Sequence, residues 1–203
     1  MKKMLSVVVL VLLLSGGLVG QALAFGWGAY VEGAQGSGEI EYTFTGDKVD
    51  ADAEATGYGL VFDSDLRGEF NHNLRLNIGY EKLDLENDFG ETLELEGLTL
   101  AGTLGFPLGG RESYHWWIGP QLRLGFYSGD VDSIPNVDYD LAAFGVGGVL
   151  GFNYITRSNI CISTSAGFVL SGYAGEATEF GSSIDVEGST ATLFANLAFL
   201  FGN

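Results

Sequence analysis

The residues of this chain that could do covalent chemistry are few and scattered. His72 and His115 are its two histidines. Ser113 lies two residues before His115, on the same face if a strand runs through both. A lipid-modifying site would need such a nucleophile with a base beside it. A Ser-x-His pair alone is a turn serine beside a histidine, so no catalytic residue is assigned. Two histidines far apart in sequence are also poor metal ligands, and no metal or cofactor is expected. Cys161 is a lone cysteine and cannot form an internal disulfide. Beside Ser163 it reads as a small interior residue. The glycines between Gly145 and Gly151 are followed by no helical pattern, which removes a phosphate-loop reading.

Charge is the better chemical signal. Glu32, Arg75, Glu81 and Arg123 fall on one side of alternating segments, with Asn77, Gln121, Asn153 and Asn196 as polar company. Charges on a buried face must be paired and hydrogen-bonded. The four are therefore expected to form one neutral interior network, or else the lining of a gate whose ion pairs exchange. Acids gather in four places: Asp47, Asp50, Asp52 and Glu54; Asp84, Glu86, Asp88 and Glu91; Asp130, Asp132, Asp138 and Asp140; Glu176, Glu179, Asp185 and Glu187. None has the spacing of an EF-hand loop, so divalent cations would be held there weakly, through oxygens alone.

The elements that position these groups alternate with a period of two. In Leu141–Asn153, Phe144, Val146, Leu150 and Phe152 share one face with Gly148, while Ala143, Gly145, Gly147, Val149, Gly151 and Asn153 share the other. Strand side chains point to opposite faces, so this segment has one bulky apolar wall and one small-residue wall. The thin wall is too small and too uncharged to be a solvated exterior. A closed barrel in a membrane fits, with the bulk toward lipid and the small residues filling a narrow bore.

Eight such segments are expected. The first lies within 26–44, where apolar residues change parity from Trp27, Ala29 and Val31 to Ile40, Tyr42 and Phe44; a bulge over Gly33–Gly38 would re-aim it. The others are 55–63, 74–81, 93–106, 115–127, 141–153, 160–170 and 192–201. Pro120 weakens the centre of the fifth because it cannot donate to a ladder. The fold class is thus all-β, an eight-stranded antiparallel up-and-down transmembrane barrel.

Residues 1–24 form a signal peptide: Lys2 and Lys3 precede an apolar core from Met4 to Leu14, and Ala22-Leu23-Ala24 has the cleavage-site form. The barrel domain is then 25–203. Its longest apolar run, Leu141–Phe152, is 12 residues, well short of the roughly 20 that a membrane helix needs. The 203 residues carry 9 basic and 26 acidic side chains. Without Lys2 and Lys3 the barrel is more acidic still, which gives nucleic acid nothing to bind.

If strand 1 starts in the periplasm, the outward aromatics sort into two belts. Trp27, Phe62, Phe106, Trp116, Phe152 and Phe201 fall at periplasmic ends, and Tyr58, Tyr80, Phe126, Phe144 and Phe168 at outer ends. The acid clusters fall in the outer connections, and Arg67, Arg111 and Arg157 in the periplasmic turns. At the outer rim, Lys82 above Tyr80 is placed to snorkel toward a lipid phosphate.

This pattern resembles the small eight-stranded outer-membrane proteins of Gram-negative bacteria, the OmpX and OmpA membrane-domain type. The resemblance implies a monomer in the cell outer membrane, contacting its lipid and lipopolysaccharide. It also implies delivery by the barrel-assembly machinery, with Leu197, Phe199 and Phe201 as the assembly signal, although Gly202 and Asn203 follow them. The peptidoglycan-binding domain of longer relatives is not expected. A structural or surface-interaction role leads, through acidic extracellular loops that meet cations, lipopolysaccharide or partners. A narrow porin-like channel is the alternative, and a lipid-modifying enzyme a distant third.

Overall fold

A computed structural model of the chain describes residues 25–42, 47–67, 71–87, 90–111, 113–131, 134–179 and 182–202. The expected signal peptide and Phe44 lie outside them. Eight strands follow in order: β1 (Gly26–Tyr42), β2 (Asp47–Asp63), β3 (Asn73–Asn87), β4 (Thr92–Arg111), β5 (Tyr114–Val131), β6 (Ile134–Ile155), β7 (Ile160–Glu179) and β8 (Ser182–Gly202). Each pairs antiparallel with its sequence neighbours, and β1 pairs with β8 to close the ring. Closure leaves no edge strand, so through the body of the barrel each strand is paired on both sides.

The aromatic belts are in place. At the inner end Trp27 meets Phe201 at 6.0 Å between ring centroids, and Trp116 meets Phe152 at 4.7 Å. At the outer side of the apolar band Tyr58 meets Tyr80 at 6.2 Å. Pro120 faces outward, opposite Gly148 on β6. The β4–β5 ladder steps from Thr103–Gln121 to Phe106–Ile118 around it, as a residue without an N–H requires. A second irregularity separates Pro107 from Gly109, whose φ of 141° is open to glycine.

The bulge expected in β1 does not form. Its pairing with β2 and with β8 runs without a shift from Gly26 to Tyr42. Ile40 keeps the inward parity of Tyr30 and Ala34 and packs on the buried apolar cluster. The apolar residues change parity because the surroundings change. Within the band of exposed Tyr58, Ile78, Leu98, Phe126 and Phe144, bulk faces out. Beyond it the strands continue, and now acids face out while Leu83, Leu85, Leu93, Leu95, Tyr139 and Leu141 are buried inside. A strand passing from hydrocarbon into water must exchange its faces in this way. The strands accordingly run further than the first apolar pattern indicates, β2 from Asp47 rather than 55 and β8 from Ser182 rather than 192.

Candidate functional site: a closed lumen below an acidic collar

Two groups of polar side chains fill the bore. The outer one centres on Arg123. Its Nη1 donates to Glu32 Oε1 at 2.7 Å, and its Nη2 donates to Glu81 Oε2. Tyr127 donates its hydroxyl to Glu81 Oε1 at 2.6 Å, and Asn196 Nδ2 reaches Glu32 Oε2 at 3.3 Å. β1 and β5 stand opposite each other in the ring, so the Arg123–Glu32 bridge crosses the bore. One guanidinium thus bridges two carboxylates.

Arg75 does not join it, contrary to the single network expected from the sequence. On β3 it lies six residues from Glu81, roughly 20 Å along the strand. At that depth it donates to Ser163 Oγ at 2.6 Å and lays its guanidinium over the Trp117 ring, 5.5 Å from the centroid. Ser163 passes the chain to Asn153 Oδ1 at 2.7 Å, which also accepts from Trp117 Nε1 at 3.2 Å. Asn153 Nδ2 lies 3.3 Å from His115 Nε2. The carboxylate directly across the ladder from Arg75 is Asp63, which accepts both bonds from Asn73. Leu66, on the β2–β3 connection, closes the inner mouth against Val61, Cys161 and Leu200.

Several of these residues were not singled out by sequence, although a signal existed. Trp117 and Tyr127 each follow a residue whose outward parity was read, Trp116 and Phe126, so their own rings had to enter the bore. Space for those rings comes from glycine. A Cβ at Gly151 would lie 2.1 Å from the Trp117 ring, and one at Gly125 would lie 2.3 Å from the Tyr127 ring. Leu66 had no signal, because turn residues carry no period. The structure does not bring Ser113 and His115 together: Ser113 is exposed in the turn before β5, and His115 is buried against Asn153. Cys161 is buried beside Ser163, as its neighbours suggested.

Above the apolar band, the expected acidic loops are mostly strand. Glu54, Asp84, Glu94, Asp130 and Asp138 are consecutive cross-strand partners from β2 to β6. Asp140, Glu176 and Asp185 continue the pattern from β6 to β8. These positions face outward, forming a collar of directly opposed carboxylates, an arrangement that repels. Lys82 lies among them, its Nζ 3.1 Å from Glu94 and 3.4 Å from Asp84. Its ammonium is therefore held by carboxylates, and Tyr80 beside it donates to Glu96 at 2.6 Å. Lys48 likewise sits 2.5 Å from Glu39 and 3.3 Å from Glu41, and these hydrogen bonds raise its pKa above the usual lysine value. No group of three or more metal-type ligands converges among the described residues.

No protein-family model and no curated protein matches the sequence. Among solved structures, the chain is similar to the outer membrane protein OprG from Pseudomonas aeruginosa, with a TM-score of 0.65 at 14% identity over 89% of this chain and 96% of that one. The fold is that of a small outer-membrane β-barrel. Neisserial surface protein A, NspA, is a more distant match, with a TM-score of 0.39 at 13% identity over 84% of this chain and 97% of that one. In an outer-membrane barrel the last strand completes the ring. Here Leu197, Phe199 and Phe201 line the outer face of β8, opposite Val31, Ala29 and Trp27 of β1.

Proposed function

We propose that this protein is a non-conducting outer-membrane barrel whose working surface is its acidic extracellular collar. The observation that carries this reading is the pairing of two features on the same strand extensions. Opposed carboxylates stand outside, and a packed apolar core fills the inside. A lumen meant to pass ions or sugars would keep a wet path through that zone. This one is instead crossed by Arg123 and roofed by Leu83, Leu95 and Leu141, all at most 7% exposed.

The collar suits contacts of a particular kind. Carboxylates facing each other across a ladder lose repulsion when a divalent cation or a cationic partner lies between them. Lipopolysaccharide phosphates bridged by such cations would fit beside them, and so would a basic partner surface. On this reading the barrel anchors the collar, and the C-terminal aromatics of β8 serve its delivery to the membrane.

The test is single-channel recording of the refolded mature chain in a planar bilayer. A silent, heat-modifiable barrel supports the reading. Discrete openings that change when Arg123 is replaced would overturn it in favour of the narrow channel.

A further inference from the structure

Three buried side chains form a row across the inner end of the bore. His115 on β5, Asn153 on β6 and Ser163 on β7 are successive cross-strand partners. Asn153 is the hub of the row, and the sense of its amide is fixed from both sides. Its Oδ1 accepts from Trp117 Nε1 and from Ser163 Oγ. An indole N–H can only donate, so oxygen must face it. Its Nδ2 is directed at the Leu66 carbonyl at 3.5 Å and at His115 Nε2 at 3.3 Å. A carbonyl can only accept, so nitrogen must face that one. His115 Nε2 is then an acceptor too, which assigns the ring to the neutral tautomer with its proton on Nδ1. Nδ1 has no partner among the described residues, so the bond to Asn153 is what orients the ring.

A second proton on that ring would set Nε2–H against the Asn153 Nδ2–H, two donors at hydrogen-bonding distance. The conflict ends when the Asn153 amide turns over and presents Oδ1 to the imidazolium. Ser163 tolerates the exchange, because a hydroxyl both donates and accepts. Trp117 and Leu66 do not. The indole N–H would then face an amide N–H, and the Leu66 carbonyl an amide oxygen. These two residues make the inner closure. Leu66 packs on Val61, Cys161 and Leu200, and the buried Trp117 ring lies against the Arg75 guanidinium. The surroundings receive a cation. Asp63 on β2 and Asp65 on the β2–β3 connection lie within electrostatic reach of the ring, and Arg75 of β3 interacts with Asp63 in turn. β4 sets the neutral Gly110 opposite His115, with Arg111 exposed beyond it, and β7 adds the buried Cys161 thiol.

We propose that His115 is a pH-sensitive switch on the inner closure of the bore. Neutral, it accepts from Asn153 and leaves that amide to hold the Trp117 indole and the Leu66 carbonyl. Protonated, it takes the Asn153 oxygen for itself and releases both. The inner closure is therefore complete above the His115 midpoint and loosened below it. The outer closure, the apolar layer of Leu83, Leu95 and Leu141, is separate from the row and stays shut.

NMR of the isotope-labelled, refolded mature chain in micelles tests this, with spectra taken from about pH 8 to about pH 4. The expected result is that the Trp117 indole N–H and the Leu66 carbonyl carbon shift with the same midpoint as the His115 ring. The indoles of Trp27 and Trp116, which face outward, serve as the control and should not follow that midpoint. In His115→Gln the Trp117 and Leu66 responses should vanish, while in His72→Gln they should persist. Should His115→Gln fail to fold, the match of midpoints in the wild type decides alone. A His115 ring that titrates while Trp117 and Leu66 stay still would overturn the proposal. So would a ring that stays neutral throughout in a barrel still folded by heat-modifiability, or a Trp117 response that survives His115→Gln.

Discussion

Arg123 is the side chain on which the bore's electrostatics turn. It holds Glu32 and Glu81 together, and both carboxylates lie deep in the barrel with side-chain exposures of 7%. Removing one partner of a buried pair strands the other, at a cost of about 3–5 kcal/mol. Arg123→Ala should therefore lower the urea midpoint of the refolded barrel. Adding Glu32→Gln and Glu81→Gln should recover much of the loss, since a neutral group strands no charge. If Arg123→Ala leaves the midpoint unchanged, the ion pairs contribute nothing to stability. Gly151 offers a test by shape. Valine there must displace the Trp117 indole, and with it the bond to Asn153 that continues to Ser163 and Arg75. Overpacking of this kind costs about 1–3 kcal/mol. The tryptophan emission of Gly151→Val should also shift relative to wild type, and an unchanged spectrum with full stability would mean that the ring has room to move.

At the scale of the strand, β3 and β4 each cross from hydrocarbon to water and exchange their faces as they do so. Leu95 is 0% exposed inside the outer extension, while Leu98, three residues further along β4, is 64% exposed on the outer face of the apolar band. The same substitution should therefore act differently at the two positions. Leu95→Ala should cost about 2–5 kcal/mol as a core truncation. Leu98→Ala should cost less, about 2 kcal/mol, because the lost transfer of the side chain from water into lipid counts but lipid closes over it and leaves no cavity. Equal effects in an unfolding titration would mean that the outer extension has no packed core. This exchange also marks how far the sequence could be read. In 74–80 and 141–153 one solvent acts on each face throughout, and strict alternation gave strand, parity and topology together. In β1 the change from Val31 to Ile40 was equally plain, but a bulge and a change of solvent leave the same mark on a sequence. Only the unbroken register with β2 and β8 separates them. The interior charges had a similar limit. Parity placed Glu32, Arg75, Glu81 and Arg123 inside, but depth decides which of them meet, and depth follows from register. Leu66 could not be read at all, since its burial depends on where the β2–β3 connection crosses the mouth.

At the scale of the whole molecule, charge and apolar surface are stacked along the barrel axis. The turns at the end opposite the collar carry Arg67, Arg111 and Arg157, the apolar band is nearly free of outward charge, and the collar gathers the acids. Opposed rows such as Glu54–Asp84–Glu94–Asp130–Asp138 make the folded collar repel itself in a way that the unfolded chain does not. Anything that neutralises the rows must then stabilise the fold. Simple salt does so by screening, with a Debye length near 10 Å at about 0.1 M, which leaves neighbours on adjacent strands only partly shielded. A cation that sits between the carboxylates does more. At a free concentration about tenfold above its dissociation constant it stabilises by about 1.4 kcal/mol. Thermal unfolding of the refolded barrel should thus rise further with MgCl2 or CaCl2 than with NaCl at equal ionic strength. In a Glu54→Gln, Glu94→Gln, Asp130→Asn variant the baseline should already be higher, and the extra divalent effect should shrink. Equal gains from sodium and magnesium in the wild type would reduce the collar to a screened, solvating surface and remove the cation contact from the proposed function.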